Sequence, residues 1–381
     1  MALDFHSCPD RRKSDSVKWN KYEKDVLPMW VADMDFPAPP PVVNALQKRL
    51  DHGVFGYPDY KDRLAQSVAD WLLRRHDWKV ECNEILFLPG VVPGFNAAAR
   101  AFTKPGDGVL VQTPAYRPFL SVAANSGVES QYSSLDKEPS GRYFLSGERL
   151  TSNLKKNTRM FILCNPHNPT GRVFSRKELE STAEACLSNN TLICSDEIHS
   201  DIVYDGNRHI PIASLGKEIA ENTITLLAPS KTFNIAGLHT AVAVIQNSKL
   251  RERFCDFTQG LYGSPNIFGA AALLAAYSAC DDWLDELIIY LSENLALLTS
   301  FVESHPSIQY SPPEGTFLAW LDCSQAGFEN PQQYFLENAR VALNPGTWFG
   351  EDGKGHVRLN FACSKSSLQT GLKRLRNSLN S

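Results

Sequence analysis

The chain has no C-x-x-C pair, no H-E-x-x-H, no G-x-S-x-G and no P-loop. GEDGKGH (350–356) lacks the spacing and the terminal Ser/Thr of a P-loop and reads as a turn. Its nine cysteines stand singly, and an odd count of isolated thiols argues against a complete disulfide framework. Free, mostly buried thiols in a reducing cytoplasm are the expectation, and no structural or catalytic zinc is expected. A basic excess is also missing: 38 Lys and Arg face 42 Asp and Glu, for a net charge of −4. Such a balance cannot hold the phosphates of a duplex, so no nucleic-acid partner is expected. MALDFHSCPDRRK has charged residues where a signal peptide needs an apolar run. The most apolar long stretch, IFGAAALLAAYSAC, is only 14 residues and reads as a buried helix, not a membrane span. Internal repeats and low-complexity linkers are absent too.

What is present is an alternation of buried strands and helices. EILFLPG is a short apolar run stopped by Pro-Gly, and VVPGFNAAARAF reads as the helix after it. GVLVQTP, RMFILCNP, LICSDEIH, TITLLAPS and HTAVAVIQ are further strand candidates, and SRKELESTAEACLSNN is one of the helices between them. Together they predict an α/β domain built on a mostly parallel sheet covered on both faces. Beyond it, Leu284, Leu287, Leu291, Leu295, Leu298 and Val302 recur at steps of three or four, one apolar helical face. GTFLAWLD, HVRLNFA and a last helix, SSLQTGLKRLRNSLN, complete a smaller α/β domain. At 381 residues, the predicted division is 1–50 as an arm joined to the small domain, 51–280 as the large domain and 281–381 as the small domain.

Ligands of open α/β sheets bind beyond the carboxyl ends of the strands, and the unusual residues fall there. Gly90-Val91-Val92-Pro93-Gly94 opens a helix whose free N–H groups and dipole suit a phosphate, though such turns are commonplace. CNPHNPTGRV (164–173) is either a simple turn or a rigid loop that aims the Asn168 amide at a ligand oxygen. Asp196 ends an apolar strand, as a helix cap or as the buried partner of a cation. Arg358 sits in an apolar strand, where a guanidinium binds a carboxylate of the protein or of a ligand. Lys231, in LLAPSKTFNIAGLHT, has no other charge in its stretch. A lysine in an apolar pocket can lose its proton and form a Schiff base with an aldehyde. One explanation covers all five: a pyridoxal phosphate site acting on an amino acid.

KWNKYEKDVLPMWVADMDFPAPPPVV, HGVFGYP, PGVVPG, TPAYRPF, NPHNPTGRVF, SDEIHSDIVYDG, APSKTFNIAGL and FGEDGKGHVRLNFACS run in order along essentially the whole chain. With them the chain resembles the fold-type-I pyridoxal-phosphate enzymes of the aspartate-aminotransferase superfamily. Within that group it is most similar to the MalY/PatB family of cystathionine β-lyases. The resemblance implies Lys231 as the cofactor-linking lysine, Asp196 on the ring nitrogen, and Asn168 with His199 at the 3-hydroxyl. It implies Tyr116 stacked on the ring, Val91, Val92 and Ser230 at the phosphate, and Arg358 on the substrate carboxylate. Tyr57 would reach the phosphate from a second subunit, so a homodimer is implied. Two positions depart from the pattern: His239 stands where many relatives carry a phosphate arginine, and Arg117 is a cation after the stacking tyrosine, which either tunes substrate choice or, the reading preferred on the sequence, simply faces solvent. The implied reaction is β-cleavage of S-substituted cysteines to thiol, pyruvate and ammonia, with an aminotransferase as the alternative. A regulator would need an added DNA-reading domain, and a non-catalytic scaffold would not fill these polar roles.

Overall fold

The computed structural model describes residues 4–380, so the outermost residues of the predicted terminal segments lie outside the described residues. The main sheet has seven strands: β1 Ile85–Leu88, β2 Gly108–Thr113, β3 Glu129–Ser134, β4 Thr158–Cys164, β5 Leu192–Asp196, β6 Thr223–Leu227 and β7 Ala241–Val244. Their order is β1-β7-β6-β5-β4-β2-β3. β7 runs antiparallel to β1 and β6; the other pairs are parallel.

β2, β5, β6 and β7 are buried at every position, as strands covered on both faces must be. Alternate residues feed opposite layers. Val109, Val111, Met160 and Ile162 join one apolar cluster, whereas Leu110, Phe161, Leu163 and Ile193 join another. β3 is the strand that the hydrophobic pattern does not reveal. ESQYSS is polar because the strand lies at the sheet edge, and its buried Gln131 is held by the Thr158 hydroxyl at 2.5 Å.

The longer helices are α1 Pro40–His52, α2 Lys61–His76, α3 Val91–Phe102, α4 Arg176–Ser188, α5 Ser248–Thr258, α6 Ile267–Ala279, α7 Asp281–Glu303 and α8 Lys365–Leu379. α4 starts at a reciprocal capping box, Ser175 with Glu178. On α7 the predicted apolar face is the buried one: Leu284, Leu287, Leu291 and Leu298 are inaccessible, Val302 is buried, and Leu295 is half-buried. Among the described residues no single helix is long and apolar enough to cross a membrane; α6 and α7 reach that only together, across an 80° bend.

A second sheet, β8 Leu318–Asp322, β9 Asn344–Pro345 and β10 His356–Asn360, is antiparallel in the order β8-β10-β9. The N-terminal segment belongs to it in space. Leu27–Pro28 pairs with Val341–Ala342, the Met29 carbonyl accepts from the Asn360 N–H, and the Asp35 N–H donates to the Ala362 carbonyl. Residues 30–36 are thereby carried past the carboxyl ends of β5 and β6.

Candidate active site

Beyond those strand ends lies a cavity of about 720 Å³. Val91, Val92, Tyr116, Asn168, Asp196, His199, Ser230, Lys231 and Arg358 all line it, as do the two departures, Arg117 and His239. Residues separated by up to 267 positions in the chain are thus neighbours. Tyr57 is not among them: it is fully exposed and does not line the cavity.

Lys231 lies in the single helical turn Pro229–Thr232 that follows β6. That turn is anchored from below. The Thr232 hydroxyl donates to Asp201 at 2.6 Å, and Asp201 also accepts from the Trp71 indole and bonds His76. Just after it, Asn234 takes a left-handed conformation (φ 55°) and its side chain bonds the backbone of Met34 and Phe36. The lysine amine donates to the Ala32 carbonyl at 2.8 Å. Burial pulls the Lys231 ammonium down to about 8; the nearby Arg358 guanidinium adds to the shift, while Asp33 and Asp196 oppose it. Neutral amine is therefore accessible near physiological pH.

Asp196 caps no helix. It ends β5, is 3% exposed, and accepts one hydrogen bond, from the Ile198 N–H at 3.0 Å. Burial pushes its carboxyl up to about 7, against the Ile198 bond and the Lys231 charge, and no ion pair reaches it among the described residues. His199 is also buried, held neutral by burial and by the Lys231 and Arg358 charges, and its Nδ1 has no partner.

Arg358 resolves the other open choice. It projects from β10 and donates to three neutral oxygens: Asn168 Oδ1 at 2.8 Å, Asn344 Oδ1 at 2.6 Å and the Trp30 carbonyl at 3.1 Å. No protein carboxylate pairs with it among the described residues, and its Nε is buried without a partner. Burial draws its ionisation down to about 10. A guanidinium so placed has no anionic counterpart within the described chain.

The loop that carries Asn168 is rigid for a reason beyond its prolines. Arg172, at its end, is buried between Glu178 and Glu314, and the Val173 N–H donates to Glu314 at 3.0 Å. At the other wall, α3 begins at Gly90 with no side-chain cap, so its first N–H groups are open to a ligand. Ser230 and the half-buried ring of Tyr116 complete the lining.

The class I and II aminotransferase family model matches residues 24–375. The chain belongs to that family. Cystathionine beta-lyase PatB of Bacillus subtilis is 42% identical over 99% of this chain and 100% of its own. Protein MalY of Escherichia coli is 32% identical over 99% of both chains. Among solved structures, cystalysin from Treponema denticola, which contains a pyridoxal 5'-phosphate cofactor, superposes with a TM-score of 0.95 at 33% identity, covering 100% of this chain and 99% of that one. Membership of the MalY/PatB branch, expected from the motifs, therefore holds, as does the α/β fold-type-I architecture.

Sequence reasoning missed part of the wall. Trp30, Ala32, Asn344, Trp348 and Phe349 line the cavity, and no role was read for them. LPMWVADMDF held a visible clue, a crowd of large apolar residues in a stretch with no helical or strand period. Trp348 and Asn344 carry no local signal at all.

Proposed function

We propose that the protein is a pyridoxal-5'-phosphate-dependent carbon–sulfur β-lyase. It would cleave L-cystathionine or related S-substituted L-cysteines, with water, to a thiol, pyruvate and ammonia. The observation that carries this reading is the set of buried groups without counterparts: Asp196 lacking a cation, Arg358 lacking an anion, and Lys231 with its proton loosened between them. The orphaned Nδ1 of His199 and the uncapped start of α3 fit the same cofactor. The names of the relatives support both the cofactor and the reaction.

Pyridoxal phosphate, when bound, supplies an aldehyde for amines and an electron sink for charge at the substrate α-carbon. The chain's own residues do the rest. The Val91 and Val92 N–H groups and the Ser230 hydroxyl would hold the phosphate. His239, exposed at the cavity wall, stands where a fixed cation would otherwise add to them. Asp196 would keep the ring nitrogen protonated, and that cation in turn would draw the carboxyl back to its ionised form. Asn168, with His199, would bond the 3-hydroxyl, and Tyr116 would cover the ring. Arg358 would clamp the substrate carboxylate through its planar fork. The Lys231 amine, once exchanged for the substrate amine, would take the α-proton.

The large unit would span 51–280 and the small one 281–381 with 1–50. The working form would be a homodimer in the cytoplasm. Tyr57, with Val54 at 61% and Phe55 at 52% exposure, supports a second subunit covering this surface and Tyr57 serving the partner's phosphate. Mixed dimers of Tyr57→Ala and Lys231→Ala should then regain activity that neither parent has. Unrestored activity despite subunit exchange would leave Tyr57 without a role in trans.

The deciding assay is incubation with L-cystathionine and no added keto acid. Pyruvate, ammonia and thiol should appear in equal amounts over many turnovers. Amino transfer that depends on a keto acid, with little pyruvate, would make the protein an aminotransferase instead.

A further inference from the structure

Charge is unevenly spread along the depth of the cavity. Of the residues lining it, Asp196 is the one carboxylate, and it sits at the inner end with Lys231 and Arg358. On the exposed side, the mouth, the charged lining residue is Arg117, and Lys21 stands beside the lining residues Trp30 and Trp348 without lining the cavity itself. Arg117 opens the short turn Arg117–Leu120, and its guanidinium lies over the ring of Trp348, 5.4 Å from the centroid. The Lys21 ammonium lies 5.4 Å from the centroid of the same ring and 4.3 Å from that of Trp30. Trp30 and Trp348 meet edge to face at 6.5 Å and both line the cavity.

Neither cation has an anionic partner. Arg117 and Lys21 make no hydrogen bond and no ion pair among the described residues. Some surface arginines are neutralised, Arg340 by Glu23 and Asp25 and Arg149 by Asp136, whereas Arg253, over the Phe102 ring, is held as Arg117 is but lies outside the cavity. An aromatic face under a cation restrains where its charge sits without neutralising it. The mouth is thus a restrained positive patch on an apolar wall.

We propose that Arg117, seconded by Lys21, is a specificity determinant for the departing half of the substrate. It selects S-substituted cysteines whose thiol fragment has a net negative charge, of the carboxyalkyl class. This rests on the β-lyase reading, in which Arg358 takes the α-carboxylate and the sulfur substituent extends toward the mouth. The departing half of cystathionine is a zwitterion. Its ammonium would meet two cations and no lining carboxylate there, so it ranks below a plain carboxylate.

The test has a binding arm and a turnover arm, both on holoenzyme. For binding, L-2-aminopimelate and L-2-aminoheptanoate have the same length, lack the sulfur that could leave, and differ only in a terminal carboxylate against a methyl group. Calorimetric titration should favour aminopimelate by about five-fold, the size expected of a partly exposed ion pair. The preference should shrink in 0.5 M salt, where exposed charges are screened. Arg117→Gln should lower it, Arg117→Lys should keep part of it, and Arg117→Gln with Lys21→Gln should remove it. For turnover, S-(carboxymethyl)-, S-(2-carboxyethyl)- and S-(3-carboxypropyl)-L-cysteine are compared with S-alkyl counterparts of matched length. The kcat/KM ratio should follow the same order across variants, through KM. Equal binding of the two analogues to the wild type, or a preference that survives the double substitution, would overturn the proposal. If no thioether releases pyruvate, the β-lyase reading fails, while the titration still scores the subsite by itself.

Discussion

Two buried arginines flank one loop and are held in opposite ways. Arg172, 2% exposed, is locked between two carboxylates, Glu178 and Glu314. Arg358, 5% exposed, touches only amide and carbonyl oxygens. Two buried aspartates five residues apart repeat the contrast. Asp201 is opposed by burial, yet bonds from His76, Thr232 and Trp71 hold its carboxyl below the ordinary value. Asp196, with one backbone N–H, rises to about 7. The first member of each pair belongs to the framework, which closes its own charges. The second belongs to the cavity wall, which leaves them open. Burial alone does not mark a functional charge; burial without a counterpart does.

The comparison breaks hardest at Arg172. Arg172→Ala removes the buried cation shared by Glu178 and Glu314, leaving Glu314 with Arg142 and Glu178 with backbone N–H groups, and should cost about 3 kcal/mol or more of stability, read as a lower urea midpoint. A loss under about 1 kcal/mol would mean that the framework pair is not the structural one.

Asp196 sharpens it with pH. Its carboxyl, lifted from 3.8 to about 7, binds its proton more tightly in the folded chain than in the unfolded one. The cofactor-free protein should therefore keep this contribution at pH 4 and lose it progressively as pH rises through about 7. The loss amounts to about 4 kcal/mol at most, from roughly 1.4 kcal/mol per pH unit. Asp196→Asn cannot ionise, so its stability relative to wild type should grow between pH 4 and 7 and then level off. Bound pyridoxal phosphate should erase the gain. Parallel pH curves for the two proteins would refute the assignment of the raised group to Asp196.

Arg358→Ala gives the smallest change of the three in free energy and the most specific. Substrate KM should rise about 10- to 150-fold, the equivalent of about 1.5–3 kcal/mol for a charge-assisted bond. Stability should fall less than in Arg172→Ala, because neutral amides are left behind and not carboxylates. A normal KM would make Arg358 structural after all.

Much of this site is legible in the sequence because strand ends announce themselves. Lys231 in an uncharged stretch, Asp196 after LICS and Arg358 in HVRLN each stand out against apolar neighbours, and all three line one cavity. β3 was not legible, since an edge strand needs no apolar alternation, and neither was the status of Arg172, whose partners lie 6 and 142 residues away. The alternatives at Asp196 and Arg358 could not be decided locally. Both turn on which oxygens or N–H groups arrive from distant segments.

Those distances also set a clock. Residues 30–36 are bound by Lys231, Asn234, Arg358 and Asn360, and the bond from Arg358 to the Trp30 carbonyl spans 328 positions. On a ribosome adding 5–20 residues per second, the first wall of the cavity waits about 15–65 s for the last. Trp30, Met34 and Phe36, each under 10% exposed in the finished fold, have to stay uncommitted through that interval. The site is therefore completed late in synthesis, just ahead of the final helix, although its first wall is among the earliest parts made.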